Sequence, residues 1–212
     1  MDDLVKRDYV RQRIEPRQGD PYYPYLSDLL IVTRSLIPPD VTRSLDHGCG
    51  GSPYRSLFGN YTYHRVDLTG EPNLYFEYST DALLPRELRE YDFILSTQVL
   101  EHVENPTNYL QECYRVLKPG AHLLLTTPSL FEDRACLYDY WRWTAFGLRR
   151  LVGDNGLEVK EVKKVTTQRL CTRRRLHETT TKSFPHCRVV DANESGHDVY
   201  VVIAPLAVQH SD

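Results

Sequence analysis

The stretch Thr42-Arg43-Ser44-Leu45-Asp46-His47-Gly48-Cys49-Gly50-Gly51-Ser52-Pro53 decides the fold. A short strand-like run reaches an acid and then breaks into three glycines within four residues. Glycine weakens strands and helices, so such a cluster marks backbone that turns sharply or lets something approach closely. A helix starting after the turn would add free N–H groups, a ready site for an anion.

Outward from that turn, helical and strand patterns alternate. Asp20-Pro21 reads as an N-cap followed by proline, and Tyr22, Tyr25, Leu26, Leu29, Leu30, Thr33, Leu36 and Ile37 follow at helical spacing until Pro38-Pro39. Residues 1–19 are highly charged without periodicity and read as a frayed arm. Beyond the turn, Pro53 to Phe58 reads as a short helix. Tyr61 to Leu68 and Asn73 to Tyr78 read as strands, and Pro85 to Glu90 as a short helix. Tyr91 to Ser96, apolar in its middle, is a strand buried on both faces. A helix begins at Asn105-Pro106 and stops at Pro119-Gly120, and Ala121 to Thr126 returns as a strand. Thr144 to Asn155 is a further helix, and Leu157 to Val165 and Val199 to Ala204 are the last strands. The pattern predicts an α/β fold. Residues 1–40 form an arm and capping helix ahead of a domain over 41–212, with a basic insertion at 167–197.

Composition bounds the function. The 212 residues are 41% hydrophobic and 26% charged, as in a soluble globular domain. The longest apolar run, Val199 to Val208, is broken by Pro205 and is too short to span a bilayer. The start, Met1-Asp2-Asp3-Leu4, lacks a signal pattern, and five cysteines without regular spacing do not form a disulfide framework. A cytoplasmic setting is expected. Net charge is −3, yet Lys160 to Lys182 carries eight Lys/Arg against two Glu. That stretch reads as a solvated loop or a site for an anionic substrate. RNA is not favoured, because no aromatic residues interleave the basic ones. Cys171, His177, His186 and Cys187 lack paired metal-ligand spacing, so no metal is expected.

The acids fall where a nucleoside needs them. In open parallel sheets, ligands bind beyond the carboxyl ends of the strands. Asp46 ends the first strand, Asp67 ends the second, and Asp81 lies beyond the third. Asp67 is 19 residues after Gly48, close to the spacing at which an acid accepts both ribose hydroxyls. NAD is one candidate, but Pro53 occupies the third small position of its fingerprint. Asp46 ahead of the turn suits a cation better than a pyrophosphate.

Asp46-His47-Gly48-Cys49-Gly50-Gly51 resembles motif I of class I S-adenosylmethionine-dependent methyltransferases. The run from Tyr91 to Val103, with Pro106 to Leu117 and Lys118-Pro119-Gly120, resembles the small-molecule branch of that family, which includes the quinone-biosynthesis enzymes. Ser52 departs from the family, which often has glycine there. The resemblance implies a Rossmann-like, mostly parallel seven-stranded sheet with helices on both faces and an antiparallel last strand. It places Gly48 and Gly50 against the methionine part of the cofactor and Asp46 near its amino group. Asp67 takes the ribose hydroxyls, Leu68 the adenine face, and Asp81 with Ala82 the adenine amino group. The backbone at Ser96 and Thr97 lines the methionine end.

Methyl transfer from a sulfonium mainly needs two reactants held in line. A general base helps where the acceptor is a hydroxyl. His102, four residues after Gln98 on an expected helix, is the candidate, with Glu101 beside it; the bland alternative is a packing histidine. On the substrate side, Tyr22 on the capping helix and Tyr140, Trp141 and Arg142 in an aromatic loop suit a sugar, an aromatic ring or a phosphorylated group. The expected activity is methyl transfer to a small-molecule acceptor, at oxygen. The alternatives are a catalytically weak binding module and a nicotinamide-linked oxidoreductase.

Overall fold

The computed structural model describes residues 3–59, 62–67, 83–129, 138–166 and 198–205. Its strands are β1 (Arg43–His47), β2 (Thr62–Val66), β3 (Tyr91–Thr97), β4 (Leu117–Pro128), β5 (Glu161–Thr166) and β6 (Asp198–Pro205). Its helices are α1 (Asp3–Ile14), α2 (Tyr23–Leu36), α3 (Pro106–Val116) and α4 (Ala145–Asp154). The six strands form one sheet in the order β2-β1-β3-β4-β6-β5. The first four are mutually parallel, and β6 runs antiparallel to both β4 and β5. The strand expected over Asn73 to Tyr78 lies outside the described residues, as does the basic stretch from 167 to 197.

Alternation along the strands divides the core in two, because successive side chains leave a strand on opposite faces. Phe93, Leu95 and Leu124 join Tyr25, Leu26, Leu29 and Leu30 of α2 on one face. Leu45, Ile94, Leu123 and Leu125 join Tyr109, Leu110 and Cys113 of α3 and Leu148 and Val152 of α4 on the other. Both faces are covered, which is why the centre of β3 carries no polar residue. No described helix is long and apolar enough to cross a membrane.

Helix ends follow their capping chemistry. Asn105 accepts the Asn108 amide at 3.1 Å ahead of Pro106, and Thr144 accepts the Gly147 amide at 3.1 Å. Gly156 closes α4 in a left-handed conformation, φ 84°. Three expectations are corrected. The frayed arm is instead a 12-residue helix, α1. Asp20 does not cap α2: Tyr22 occupies that position with φ 61° and no side-chain cap, while the Asp20 carboxylate binds Arg11 at 2.7 and 2.9 Å. Residues 85–90 form a turn, with the Leu88 amide on the Pro85 carbonyl, rather than a helix.

Asp92 fastens the opposite end of the sheet. It accepts the Thr42 hydroxyl at 2.6 Å, the Thr42 and Arg43 amides at 3.1 and 2.8 Å, and Lys118 Nζ at 2.6 Å. Burial pushes its carboxyl up, but Lys118, Thr42 and the amides win and hold it at about 2. A depressed carboxyl contributes stability above its ordinary value of 3.8, and that contribution is lost as pH falls towards 2. Asp92→Ala is expected to cost about 1–3 kcal/mol at pH 7 through lost charged hydrogen bonds. Urea unfolding at pH 7 and pH 3 checks this: the deficit should shrink at the lower pH.

Candidate functional site

The order of the strands puts a topological switch between β1 and β3, since the chain leaves β1 towards β2 and leaves β3 towards β4. The glycine turn sits at the β1 side of that switch, where ligands of open α/β sheets bind. Gly48 and Cys49 donate their amides to the Val66 carbonyl at 2.8 and 3.1 Å, tying the turn to the end of β2. Gly48 adopts φ 79°, and a Cβ there would stand 2.3 Å from Val99 Cγ2. Only glycine satisfies both conditions. Val99, which begins the segment after β3, therefore closes the turn from beside it.

The turn does not lead into a full helix. A five-residue 3₁₀ turn, Pro53–Leu57, follows it, and Ser52 ahead of it has φ 51° with no side-chain cap. The helix N-terminus anticipated as a seat for an anion is absent, because five residues in 3₁₀ geometry align few peptide dipoles. The turn's anion-binding capacity is confined to its own amides. Most of these are committed: the Gly48 and Cys49 amides to the Val66 carbonyl, the Ser52 amide to the Cys49 carbonyl, and the Gly50 amide to Asp67 Oδ2.

Two acids face this region. Asp46 is buried and accepts the Tyr63 hydroxyl on its Oδ2. Burial pushes its carboxyl up to about 7, the nearby charge of Asp67 adds to the rise, and Tyr63 and Arg65 oppose it. Such a group is half protonated near neutrality and becomes a full anion when a cation arrives. Asp67 follows β2, and one of its oxygens holds the Gly50 amide; a carboxylate has further lone pairs for other donors. Leu68, Asp81 and Ala82 lie outside the described residues.

Ser96 and Thr97 end β3. The Ser96 hydroxyl meets Tyr109 Oη at 2.8 Å, and Tyr109 donates onward to the His47 carbonyl at 3.3 Å. The Ser96 side chain is thus spent inside the core. His47 is likewise a packing residue. It stacks on Tyr109 at 4.2 Å and meets Cys113 Sγ at 3.6 Å, and burial pulls its imidazole down to about 3.

The segment after β3 carries Glu101 and His102 in a three-residue 3₁₀ turn, Leu100–His102, not the helix expected there. The aromatic loop is pinned to this turn. The Tyr140 and Trp141 amides donate to the Glu101 carbonyl at 2.8 and 3.3 Å, and Trp141 Nε1 donates to the Val103 carbonyl at 2.8 Å. His102 Nδ1 donates to the Tyr138 carbonyl at 2.7 Å. That bond places the proton on Nδ1, so the neutral ring carries its lone pair on Nε2, 3.8 Å from Glu101 Oε1. Buried Glu101 also accepts the Thr127 hydroxyl at 3.3 Å. Arg142 is engaged by Asp139 through both guanidinium nitrogens.

The structure therefore brings Glu101, His102, Tyr140 and Trp141 together, and separately gathers Asp46, Gly48, Gly50 and Asp67. Tyr22 is the N-cap residue of α2. Val99, Tyr63 and Asp139 were missed from the sequence. So were Tyr9 and Val10 of α1, which lie over the turn: Cβ atoms at Gly50 and Gly51 would be 3.7 Å from Tyr9 Oη and 3.0 Å from Val10 Cγ2. Tyr63 had a signal available only after register was known, since Asp46 pairs with Arg65 and Tyr63 is its diagonal neighbour on the same face.

Comparison with known proteins adds a family. A family model described as a methyltransferase domain matches residues 22–162. The ubiquinone biosynthesis O-methyltransferase of Paracidovorax citrulli is 29% identical over 109 residues, covering 43% of this chain and 46% of its own length. That of Pseudomonas putida (strain W619) is 32% identical over 101 residues, covering 39% and 43%. The matched stretch thus takes in less than half of these relatives. Among solved structures, a chain from the complex of the Haloferax volcanii Trm112 methyltransferase activator with a putative methyltransferase superposes with a TM-score of 0.63 at 14% identity, covering 97% of this chain and 95% of that one. A putative methyltransferase of Bacillus halodurans gives 0.59 at 15%, covering 85% and 99%. Haemonchus contortus phosphoethanolamine N-methyltransferase 2, in complex with S-adenosyl-L-methionine, gives 0.58 at 16%, covering 97% of this chain and 57% of that one. At such identities the likeness is one of fold.

Proposed function

This chain belongs to the methyltransferase-domain family, and we propose that it transfers a methyl group from S-adenosylmethionine to a hydroxyl of a small-molecule acceptor. The observation that carries the cofactor is the pairing of a glycine turn closed by Val99 with a buried acid, Asp46. A buried acid wants a cation, and the cofactor's ammonium is one. Asp46 would hold that ammonium, Gly48 and Gly50 the methionine part, and the Ser96 and Thr97 backbone its far side. Asp67 would take the ribose hydroxyls on the lone pairs left by Gly50, and Leu68, Asp81 and Ala82 the adenine. A dinucleotide fits less well: its pyrophosphate would meet a five-residue 3₁₀ turn and an acid. When bound, the cofactor supplies an electrophilic methyl on a good leaving group, so the protein's task is alignment and removal of the acceptor's proton.

His102 would take that proton. Its Nδ1–H is fixed by the Tyr138 carbonyl, which leaves Nε2 as its accepting atom, 3.8 Å from Glu101 Oε1. Glu101 acts as the positioning residue. His102→Gln should slow methyl transfer while leaving S-adenosylhomocysteine affinity unchanged; equal loss of both would make His102 a packing residue.

Calorimetric titration with S-adenosylhomocysteine and with NAD tests the cofactor. Saturable heat is expected for the first only, and the reverse result would overturn the reading. Asp67→Ala should weaken S-adenosylhomocysteine binding by about 1–3 kcal/mol through lost charged hydrogen bonds. Unchanged affinity would move the ribose elsewhere. Weak ubiquinone-enzyme likeness and the His102–Glu101 pair support oxygen as the acceptor atom.

A further inference from the structure

Resting on the cofactor reading above, we infer that Ser52 is a cofactor-binding residue, its hydroxyl donating a hydrogen bond to the carboxylate at the methionine end of S-adenosylmethionine. Ser52 stands where the family often has glycine, and nothing in the protein's own contacts explains the exchange. Its φ of 51° is left-handed, a conformation that glycine adopts freely and serine does not. It is 8% exposed, and its Oγ is buried without a hydrogen-bond partner. Backbone strain and an unpaired buried hydroxyl are both unfavourable, and a glycine would have neither. The side chain is accounted for by a partner from outside the chain.

The rest of Ser52 is engaged. Its amide donates to the Cys49 carbonyl at 2.7 Å, and its carbonyl accepts the Arg55 amide at 3.2 Å, so the hydroxyl is the group left open. Asp46 is in the same corner of the site. Burial and then the charge of Asp46 push the Cys49 thiol up, and the Ser52 hydroxyl, near but not hydrogen-bonded, opposes them. One thiol thus adjoins both residues.

The chemistry of the cofactor identifies the partner. Its amino-acid end carries an ammonium and a carboxylate on the same carbon. With the ammonium on Asp46, the carboxylate stands immediately beside it, in a region that already holds Asp46 and Asp67, and it needs donors. The backbone leaves it one. Among the described residues of the turn, the Gly51 amide has no protein partner, whereas those of Gly48, Cys49, Gly50 and Ser52 are taken. The flanking arginines are engaged as well. Arg13 of α1 lies 3.5 Å from the centroid of the Tyr9 ring and donates to the Tyr9 carbonyl, and Arg55 donates to the Phe58 and Gly59 carbonyls. Ser52 Oγ and the Gly51 amide, on adjacent residues, are the donors that remain.

Calorimetry on the full chain separates the carboxylate from the rest of the cofactor. The two probes are S-adenosylhomocysteine and its decarboxylated analogue, which keeps the ammonium. Ser52→Ala should weaken S-adenosylhomocysteine about tenfold, as expected for a charge-assisted hydrogen bond, and leave the analogue unchanged. It should unfold at no lower urea than the parent, since the hydroxyl makes no bond within the protein. Ser52→Gly should bind as Ser52→Ala does, yet unfold at higher urea than the parent, because it relieves the left-handed serine. Equal weakening of both probes, undiminished S-adenosylhomocysteine affinity in both variants, or a loss of stability in both would overturn the inference while the cofactor reading stood. Failure of the parent to bind S-adenosylhomocysteine would remove the cofactor reading, and the inference with it.

Discussion

Gly48→Ala is expected to cost about 2–5 kcal/mol of stability: about 1–2 from a left-handed alanine and about 1–3 from overpacking. The two terms have separate origins in the structure. Gly48 has φ 79°, so a Cβ is strained wherever it points, and that Cβ would also stand 2.3 Å from Val99 Cγ2 and 2.8 Å from Val99 Cγ1. Both carbons belong to a short branched side chain packed in the core, which cannot swing aside as a lysine could. The turn must move instead, and with it the amides of Gly48 and Cys49 that hold the end of β2. S-adenosylhomocysteine binding should fall with stability, because the moved segment is the proposed cradle. A double-mutant cycle separates the terms. Val99→Ala alone opens a small cavity, but in the Gly48→Ala background it removes the clash, so the pair should be more stable than the sum of the singles. Additive losses in urea unfolding would mean that Val99 is not what confines the turn.

Much of this architecture was legible from the sequence because its signals are local. All six described strands lie on stretches whose apolar runs and flanking breakers pointed to strands. The order of layers follows from β3 and β4 carrying buried apolar residues on both faces. The helices α2, α3 and α4 announced themselves by spacing, by Asn105 and Thr144 at their starts and by Gly156 at an end.

The failures share a cause: each depends on a partner distant in sequence. In the described part of α1, Tyr9, Val10 and Ile14 do not form a helical stripe; the helix exists because Tyr9 and Val10 cover the glycine turn and Arg11 reaches Asp20. Asp20 looked like a cap because it precedes a proline, yet its oxygens are taken by the Arg11 guanidinium and the Arg17 amide, not by amides of α2. His102 was expected on a helix, but the chain after β3 turns tightly so that Val99 can close Gly48 and Glu101 can receive the aromatic loop. Arg142 looked like part of a seat for a sugar, an aromatic ring or a phosphorylated group, and Asp139, three residues earlier, already pairs with it. The acids Asp46 and Asp67 were found by position. What makes Asp46 unusual, its burial and its Tyr63 partner, required the fold.

That burial leads to the sharpest pH prediction. The Asp46 carboxyl is pushed from 3.8 to about 7, burial being the largest cause. The folded state therefore holds a proton that the unfolded chain releases between those values. Stability should fall as pH rises from about 4 to about 7, at up to about 1.4 kcal/mol per pH unit within that window, and level off above it. Cofactor affinity should run the opposite way. In the proposed complex the ammonium pairs with the ionised carboxylate, so binding below pH 7 would require a proton to leave. S-adenosylhomocysteine affinity should accordingly rise roughly tenfold from pH 6 to pH 8, as expected for one group titrating near 7. Tyr63→Phe removes a hydrogen bond that favours the carboxylate, and should shift that rise to higher pH. Asp46→Asn separates the two effects most clearly. It should be more stable than the parent at pH 8, since no charge is buried, while binding S-adenosylhomocysteine more weakly by about 1.5–3 kcal/mol at that pH, the worth of a charged hydrogen bond. Calorimetry across pH 6 to 8 on the parent and both variants decides the matter. A flat affinity profile, or an asparagine variant that binds as tightly as the parent, would take the ammonium away from Asp46 and leave the buried acid as a purely structural partner of Tyr63.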